Sequence, residues 1–425
     1  MKFSYGKTFL LGFGYLGVIA IWSIYTAFVP TILEKKFLLP LQWIAFFMTL
    51  DNIAALVIQP LAGVWSDKTR TSIGRRMPFI LFGAPISAFA FAALPVAPIL
   101  PLFVVCTTTL LASMALWRTP VMALVADVTP SPLRSQASGV ISVMGGLGGM
   151  IAYFGGGRLA KINPAYPFWL GAAVVVMAAL ALFIGVKEPR QPAVEEASET
   201  TPGIVASIRE LIERPDRSTL CLVGALFLLT VGYSAVEGFF SLYATNHLGL
   251  SVGDSALLLG QCLLVFVFFS VPSGLLAGKF SRRAIVMAGL LLMSAVLIAV
   301  FLLPAATLLH VLIRVPVLGE VPVLGALLML VGVAWALVII HPLPMLSDMT
   351  DASRIGTYTG LYYLFTSLAA IAGPILNGWI VQSSGGNYNT VMLFAPATLM
   401  LAWGLMWGVK NTSHAQFSPS KPFNG

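Results

Sequence analysis

Charge is what this sequence has least of. Only 9% of its 425 residues are Asp, Glu, Lys or Arg, while 58% are hydrophobic; an ordinary soluble domain carries about 25% charged residues. With a mean hydropathy of +0.92, that scarcity excludes a water-solvated globular enzyme, and lipid must cover most of the surface. Cysteine is nearly missing as well. Cys106, Cys221 and Cys262 all fall in apolar runs, which excludes an extracellular disulfide framework and leaves them as packing residues. The glycine-rich stretch Gly139–Gly149 has no strand pattern before it and no Gly-Lys-Ser/Thr after it, so a phosphate loop is excluded. No cofactor and no metal are expected. The net charge of +8 is scattered over short loops and not gathered on one soluble face, which argues against nucleic acid as a partner.

What the sequence has in abundance is apolar length. A bilayer core of about 30 Å needs about 20 apolar residues in a helix. Runs near residues 8–31, 42–65, 78–97, 101–127, 136–160, 165–186, 219–247, 252–278, 284–303, 322–346, 357–382 and 388–409 supply about twelve such spans. The first run continues to Pro30 without a small-residue cleavage site, so it is expected to remain as a span. A polar stretch with Glu195, Glu196, Ser198 and Thr200 divides the runs evenly. The expected organisation is an N-terminal six-helix bundle (1–186), a cytoplasmic linker (187–218), a C-terminal six-helix bundle (219–409) and a cytoplasmic tail (410–425): an all-α, multi-pass protein of the cell (inner) membrane. Placing both termini in the cytoplasm puts most basic residues inside, and leaves Lys35, Lys36, Arg158, Lys161 and Arg314 outside.

The halves repeat. Gly63-Val-Trp-Ser-Asp67-Lys68 after the second run aligns with Gly274-Leu-Leu-Ala-Gly278-Lys279 after the eighth, and Asp127, Arg134 and Gly139 align with Asp348, Arg354 and Gly360. Matching loops at matching places imply two bundles related by a pseudo-twofold axis, with a substrate site between them near the membrane midplane. In Gly63-x-x-x-Asp67-Lys68-x-x-x-x-x-Gly74-Arg75-Arg76, an acid at a helix end facing an arginine cluster makes a charge-assisted latch, with Gly63 permitting close packing. Ordinary positive-inside loop charge is the plainer reading. Asp127, Arg134, Asp348 and Arg354, at helix exits, read as symmetric hinge or latch charges.

That Gly, Asp and Gly-Arg-Arg pattern resembles the signature loop of the major facilitator superfamily. Gln59-Pro60-Leu-Ala-Gly63 leading to Gly74-Arg75-Arg76-Met-Pro78-Phe-Ile, and Arg354-Ile-Gly-Thr-Tyr-Thr-Gly360, are similar to sucrose–proton and glycoside–cation symporters. The resemblance implies alternating access and symport of a sugar or glycoside, a di- or oligosaccharide, with no chemical step. Two departures stand out. Plant sucrose symporters carry an acid where Leu111 stands here and an Arg where Met122 stands. Melibiose-type relatives coupled to sodium carry an Asp where Gln59 stands, so protons are favoured over sodium.

Ionisable residues inside spans are costly unless paired, neutralised or hydrated. Asp51, Arg118 and Glu237 are of this kind, and two acids share one base. We expect Arg118 to pair with Asp51, leaving Glu237 as the proton carrier; the opposite pairing is the alternative. His341, before Pro342, is a candidate shuttle or a packing histidine. Trp22, Tyr25, Trp117, Tyr233 and Tyr362 are candidate platforms for sugar faces, with Arg118, Asn52 and Gln261 bonding hydroxyls; interfacial belts are the competing role for the aromatics.

The reading is thus a monomeric, proton-coupled sugar symporter in the bilayer, not an enzyme. The alternatives are a proton-driven exporter of drugs or amphipathic metabolites, and a non-transporting assembly or pigment-delivery factor on the same fold. Drug–proton antiporters usually place a Gly-Pro in span five. Here Gly373-Pro374 lies in span eleven, which disfavours export.

Overall fold

The computed structural model describes residues 5–129, 134–186, 188, 217–316, 318–349 and 355–410. In hydrocarbon each backbone N–H and C=O must be bonded within the chain, so apolar runs of this length close as helices. The first half contains α1 (Tyr5–Lys35), α2 (Leu41–Phe47), α3 (Leu50–Lys68), α4 (Met77–Ala93), α5 (Leu100–Val128), α6 (Arg134–Met150), α7 (Gly156–Ala160) and α8 (Tyr166–Gly185). The second contains α9 (Ser218–Leu242), α10 (Val252–Leu276), α11 (Arg282–Leu302), α12 (Ala305–Leu308), a hairpin of β1 (Val311–Val315) and β2 (Gly319–Pro322), then α13 (Val323–Ile339), α14 (Pro342–Asp348), α15 (Ile355–Ser383) and α16 (Val391–Met406). Among the described residues eleven helical stretches are long and apolar enough to cross a membrane, and the 17-residue α4 makes the twelfth.

The packing plan of one half recurs in the other. α1 lies against α6 and α8 as α9 lies against α15 and α16. α3 lies on α5, and α4 on α5 and α8, as α10 lies on α13 and α11 on α13 and α16. The two halves meet along α1–α9, α2–α15 and α7–α10. Glycine sets the closest approach. A Cβ at Gly148 would lie 2.2 Å from the carbonyl oxygen of Leu16, so α1 and α6 pack at this distance only without a side chain there.

Three features differ from the expectation. The second run breaks at Met48–Thr49, where the Thr49 hydroxyl donates to the carbonyl of Phe46 at 2.7 Å. The tenth breaks at Ile340–His341, because a residue before proline is driven out of the helical region. The segment before it is not a plain loop: β1 and β2 pair antiparallel around Gly319, at φ +78°. Of the expected linker, only Glu188, Arg217 and Ser218 are among the described residues, and most of the tail is outside them.

Polar contacts between the halves gather at one end. There Glu34 accepts hydrogen bonds from Asn246 and Tyr388, Lys161 pairs with Asp254 at 2.6 Å, and Arg158 donates to the carbonyl of Pro316 at 3.3 Å. Gly157 and Gly253 are pressed together nearby: a Cβ on either would fall within 2.8 Å of the other's carbonyl oxygen.

Candidate functional site

Two pockets flank the seam between the halves. The smaller, about 20 Å³, is lined by Trp22 of α1, Asp51 and Gln59 of α3, and Leu111, Met114, Ala115 and Arg118 of α5. Asp51 lies in the first turn of α3 and accepts from Asn52 Nδ2 at 3.0 Å. Arg118 and Glu237 are the charged groups whose fields reach Asp51. Among the described residues Arg118 comes within 4 Å of no carboxylate, so the pocket gathers a base and an acid without locking them as a contact pair.

The larger cavity, about 190 Å³, belongs mainly to the second half. α9 contributes Gly232, Tyr233, Val236, Glu237 and Phe240, α10 contributes Leu259, Cys262, Leu263 and Phe266, and α13 contributes Leu328, Val331 and Trp335. Tyr153, in a π-helical turn between α6 and α7, reaches in from the first half. Tyr233 and Trp335 stack with ring centroids 3.8 Å apart and planes 10° from parallel. Among the described residues of this lining Glu237 is the one acid, and none is Lys, Arg or His; the Trp22 indole and the Tyr233 hydroxyl are its polar neighbours. A carboxylate in such surroundings is costly until something neutralises it.

Other predicted site residues are placed elsewhere. Trp117 is 1% exposed, and its Nε1 donates to Ser87 Oγ at 3.0 Å, so it packs α5 to α4 and does not line either pocket. Tyr25 is buried beneath Trp22, its hydroxyl directed at the Phe47 carbonyl. Gln261 is not a hydroxyl binder: its Nε2 donates to the carbonyls of Leu318 and Glu320 and holds the hairpin on α10. Tyr362 packs edge-on to Tyr363 against the second core. His341 is buried and meets Ser273 Oγ at 3.2 Å, the geometry of a packing histidine. Cys262, expected only to pack, lines the cavity and is a free thiol, as are Cys106 and Cys221.

At the end opposite Glu34, Arg75 and Arg76 both bridge Asp67 of α3 and Asp127 of α5. The Glu188 carboxylate accepts from the backbone N–H of Arg76 and Met77, capping the start of α4. Gly74 is required there: its φ is +114° and Glu188 occupies the space of a Cβ. Gly63 is not, since a Cβ would meet only Thr119, at an ordinary 3.6 Å. Lys68 is exposed. Among the described residues the second half does not mirror this cluster. Asp348 pairs with Arg282, and neither the Arg134 side chain nor Arg354 is among the described residues.

Trp335, Tyr153 and Glu188 went unread in the sequence. Trp335 and Tyr153 lie in uninterrupted apolar runs where nothing marks one aromatic from another. Glu188 was legible only as the first acid after the sixth run.

The pattern of the Major Facilitator Superfamily matches residues 11–341 and 262–423. The chain belongs to this superfamily. It is therefore a membrane transporter and not an enzyme. It is 24% identical over 395 residues to Multidrug resistance protein 1 of Bacillus subtilis (strain 168), covering 92% of each chain. A local stretch of 46 residues is 48% identical to Sucrose transport protein SUT4 of Oryza sativa, 11% of this chain and 8% of that one. Among solved structures, a bacterial homologue of the human lysosomal transporter Spinster, in an inward-facing and occupied conformation, superposes with a TM-score of 0.72 at 16% identity, over 95% of this chain and 96% of that one.

Proposed function

We propose that this superfamily member is a proton-coupled carrier of amphipathic organic molecules, with Glu237 taking either a proton or the polar, cationic head of the substrate. The observation that carries the reading is one acid in a wide apolar cavity beside the stacked Tyr233–Trp335 pair. A proton and a cationic head each relieve the cost of the bare carboxylate, so the two compete for it, and that competition is coupling. The apolar body of the substrate lies against the aromatic pair, where cation–π attraction adds to burial. Asp51 and Arg118 form the second polar centre, across a separate small pocket. With both termini in the cytoplasm, the Glu34 end faces outward, and polar contacts between the halves hold it closed. The similarity to Multidrug resistance protein 1 of Bacillus subtilis supports such a substrate.

Proton-coupled symport of a sugar or glycoside is the second reading, favoured by the stretch shared with the sucrose transport protein and by the same aromatic pair, which offers a face to a sugar ring. Its weakness is the lining, which has few groups to bond hydroxyls.

The test uses purified protein in liposomes, with ethidium and a panel of disaccharides added in turn while external pH is followed. Ethidium moving against protons, with coupling lost in Glu237→Gln, supports the carrier of amphipaths. Alkalinisation on adding one disaccharide would replace it with the sugar reading. Neither response overturns both.

A further inference from the structure

Asn377 of α15 is 0% exposed and neither its Nδ2 nor its Oδ1 has a partner among the described residues; Ser241 of α9 is 1% exposed and its Oγ is likewise unpartnered. In a membrane span a buried amide with nothing to bond is costly. Such groups are normally satisfied by an ordered water.

The two residues lie at one level of one interface. A Cβ at Gly373 would meet Val231 and Ser234, one at Gly238 would meet Pro374, and one at Gly378 would meet Phe239. The contacts advance together along both helices, so α9 and α15 run side by side in the same direction. Ser241 is three residues beyond Gly238, and Asn377 is three beyond Pro374. On α9, Ser241 also follows Glu237 by one turn on the same face. Past Ser241 the helix opens into the π-helical turn Tyr243–His247, and its Asn246 donates to Glu34, which also accepts from Tyr388. A line of polar groups thus runs from the cavity acid to the closed end through an otherwise apolar seam.

We propose that Ser241 and Asn377 hold water that conducts protons between Glu237 and the Glu34 end. The inference rests on the reading of Glu237 as the protonation site. A hydronium ion at the Glu34 end gives up a proton, the held water passes one on, and the Glu237 carboxylate becomes a carboxylic acid. Only O–H bonds form and break. Asn377 and Ser241 do not themselves gain or lose a proton; they position the water.

The test is infrared spectroscopy of the full chain in nanodiscs during exchange from H2O to D2O. The Glu237 carboxylic-acid band is identified by its loss in Glu237→Gln, and its deuterium shift reports how fast protons reach the site. The pair Asn377→Leu and Ser241→Ala is expected to slow that shift at least about tenfold, a barrier increase of about 1.4 kcal/mol. Asn377→Ser, which keeps a polar group, is expected to stay within about twofold of the native rate. Ser241→Ala alone gives an intermediate slowing, and it carries the test should the leucine variant not fold. An unchanged rate in these variants overturns the proposal, as does equal slowing in Asn377→Ser. Absence of any band lost in Glu237→Gln overturns the reading of Glu237 first, and this inference with it.

Discussion

At the Asp67 end of the first half, Arg75 and Arg76 hold Asp67 and Asp127 in one network, with the Arg76 and Asp127 side chains 6% and 13% exposed. At the matching place of the second half the pair among the described residues, Arg282 with Asp348, sits at 36% and 44% exposure. In the middle of the membrane the asymmetry reverses in kind. The first half keeps a tight polar pocket of about 20 Å³ with Asp51 and Arg118, and the second keeps a broad apolar cavity of about 190 Å³ with Glu237 alone. The helices nonetheless pack in the same pairs in both halves. One packing plan therefore supports two electrostatic designs. Apolar packing between helices is set by shape and small residues, while each charge is answerable only to its immediate neighbours.

Five measurements sharpen or break that comparison. The largest effect is expected at the lone acid: Glu237→Gln abolishes concentrative transport in proton-loaded liposomes and weakens substrate exchange, its response to external pH lost, while Asp51→Asn, with Arg118 beside it, slows both and keeps the pH response. Equal behaviour of the two variants would mean the pockets are not distinct. Next comes the buried network. Arg76→Ala leaves Asp127 to Arg75 alone and is expected to cost about 2 kcal/mol of stability, the worth of a hydrogen bond to a charged group, read as a lowered midpoint of thermal unfolding in detergent. Third, Trp335→Ala removes one face of the aromatic stack and should weaken apparent substrate affinity about tenfold, roughly the 1.4 kcal/mol that ring stacking and burial supply. Fourth, Trp117→Phe loses only the hydrogen bond to Ser87, so about 1 kcal/mol of stability goes while substrate KM is unchanged; a raised KM would place Trp117 at the site after all. Smallest is Arg282→Ala. An exposed pair of this kind contributes about 0–1 kcal/mol, so its unfolding midpoint should move least, and less still in high salt.

Legibility followed the kind of signal. Span number, the central division and the repeated loops were readable because membrane thickness fixes helix length and charge is excluded from hydrocarbon. Asp51, Arg118 and Glu237 stood out for the same reason, as ionisable residues where few are tolerated. The aromatic assignments were readable only as a set. Trp22 and Tyr233 line the two candidate pockets, Trp117 and Tyr25 pack inside the first bundle, and Trp335, unmarked in its run, completes the stack. Gln261 resembled a hydroxyl binder because nothing in its own helix announced a hairpin some sixty residues later in the chain, at Leu318 and Glu320. Gly74 and Gly63 belong to one motif, yet only Gly74 needs to be glycine, a distinction that depends on where Glu188 sits.

By itself the sequence determined the solvent, the helical fold, the two-half organisation and the short set of charges that must have a purpose, since each follows from the cost of moving one residue type between water and lipid. Tertiary structure alone decided which aromatic faces which, that Arg118 shares a pocket with Asp51 while Glu237 stands in another, and that Ser241 and Asn377 are buried on adjoining helices without a hydrogen-bond partner among the described residues. Those are relations between helices far apart in the chain, set by rotation and register, and no local pattern in either helix encodes them.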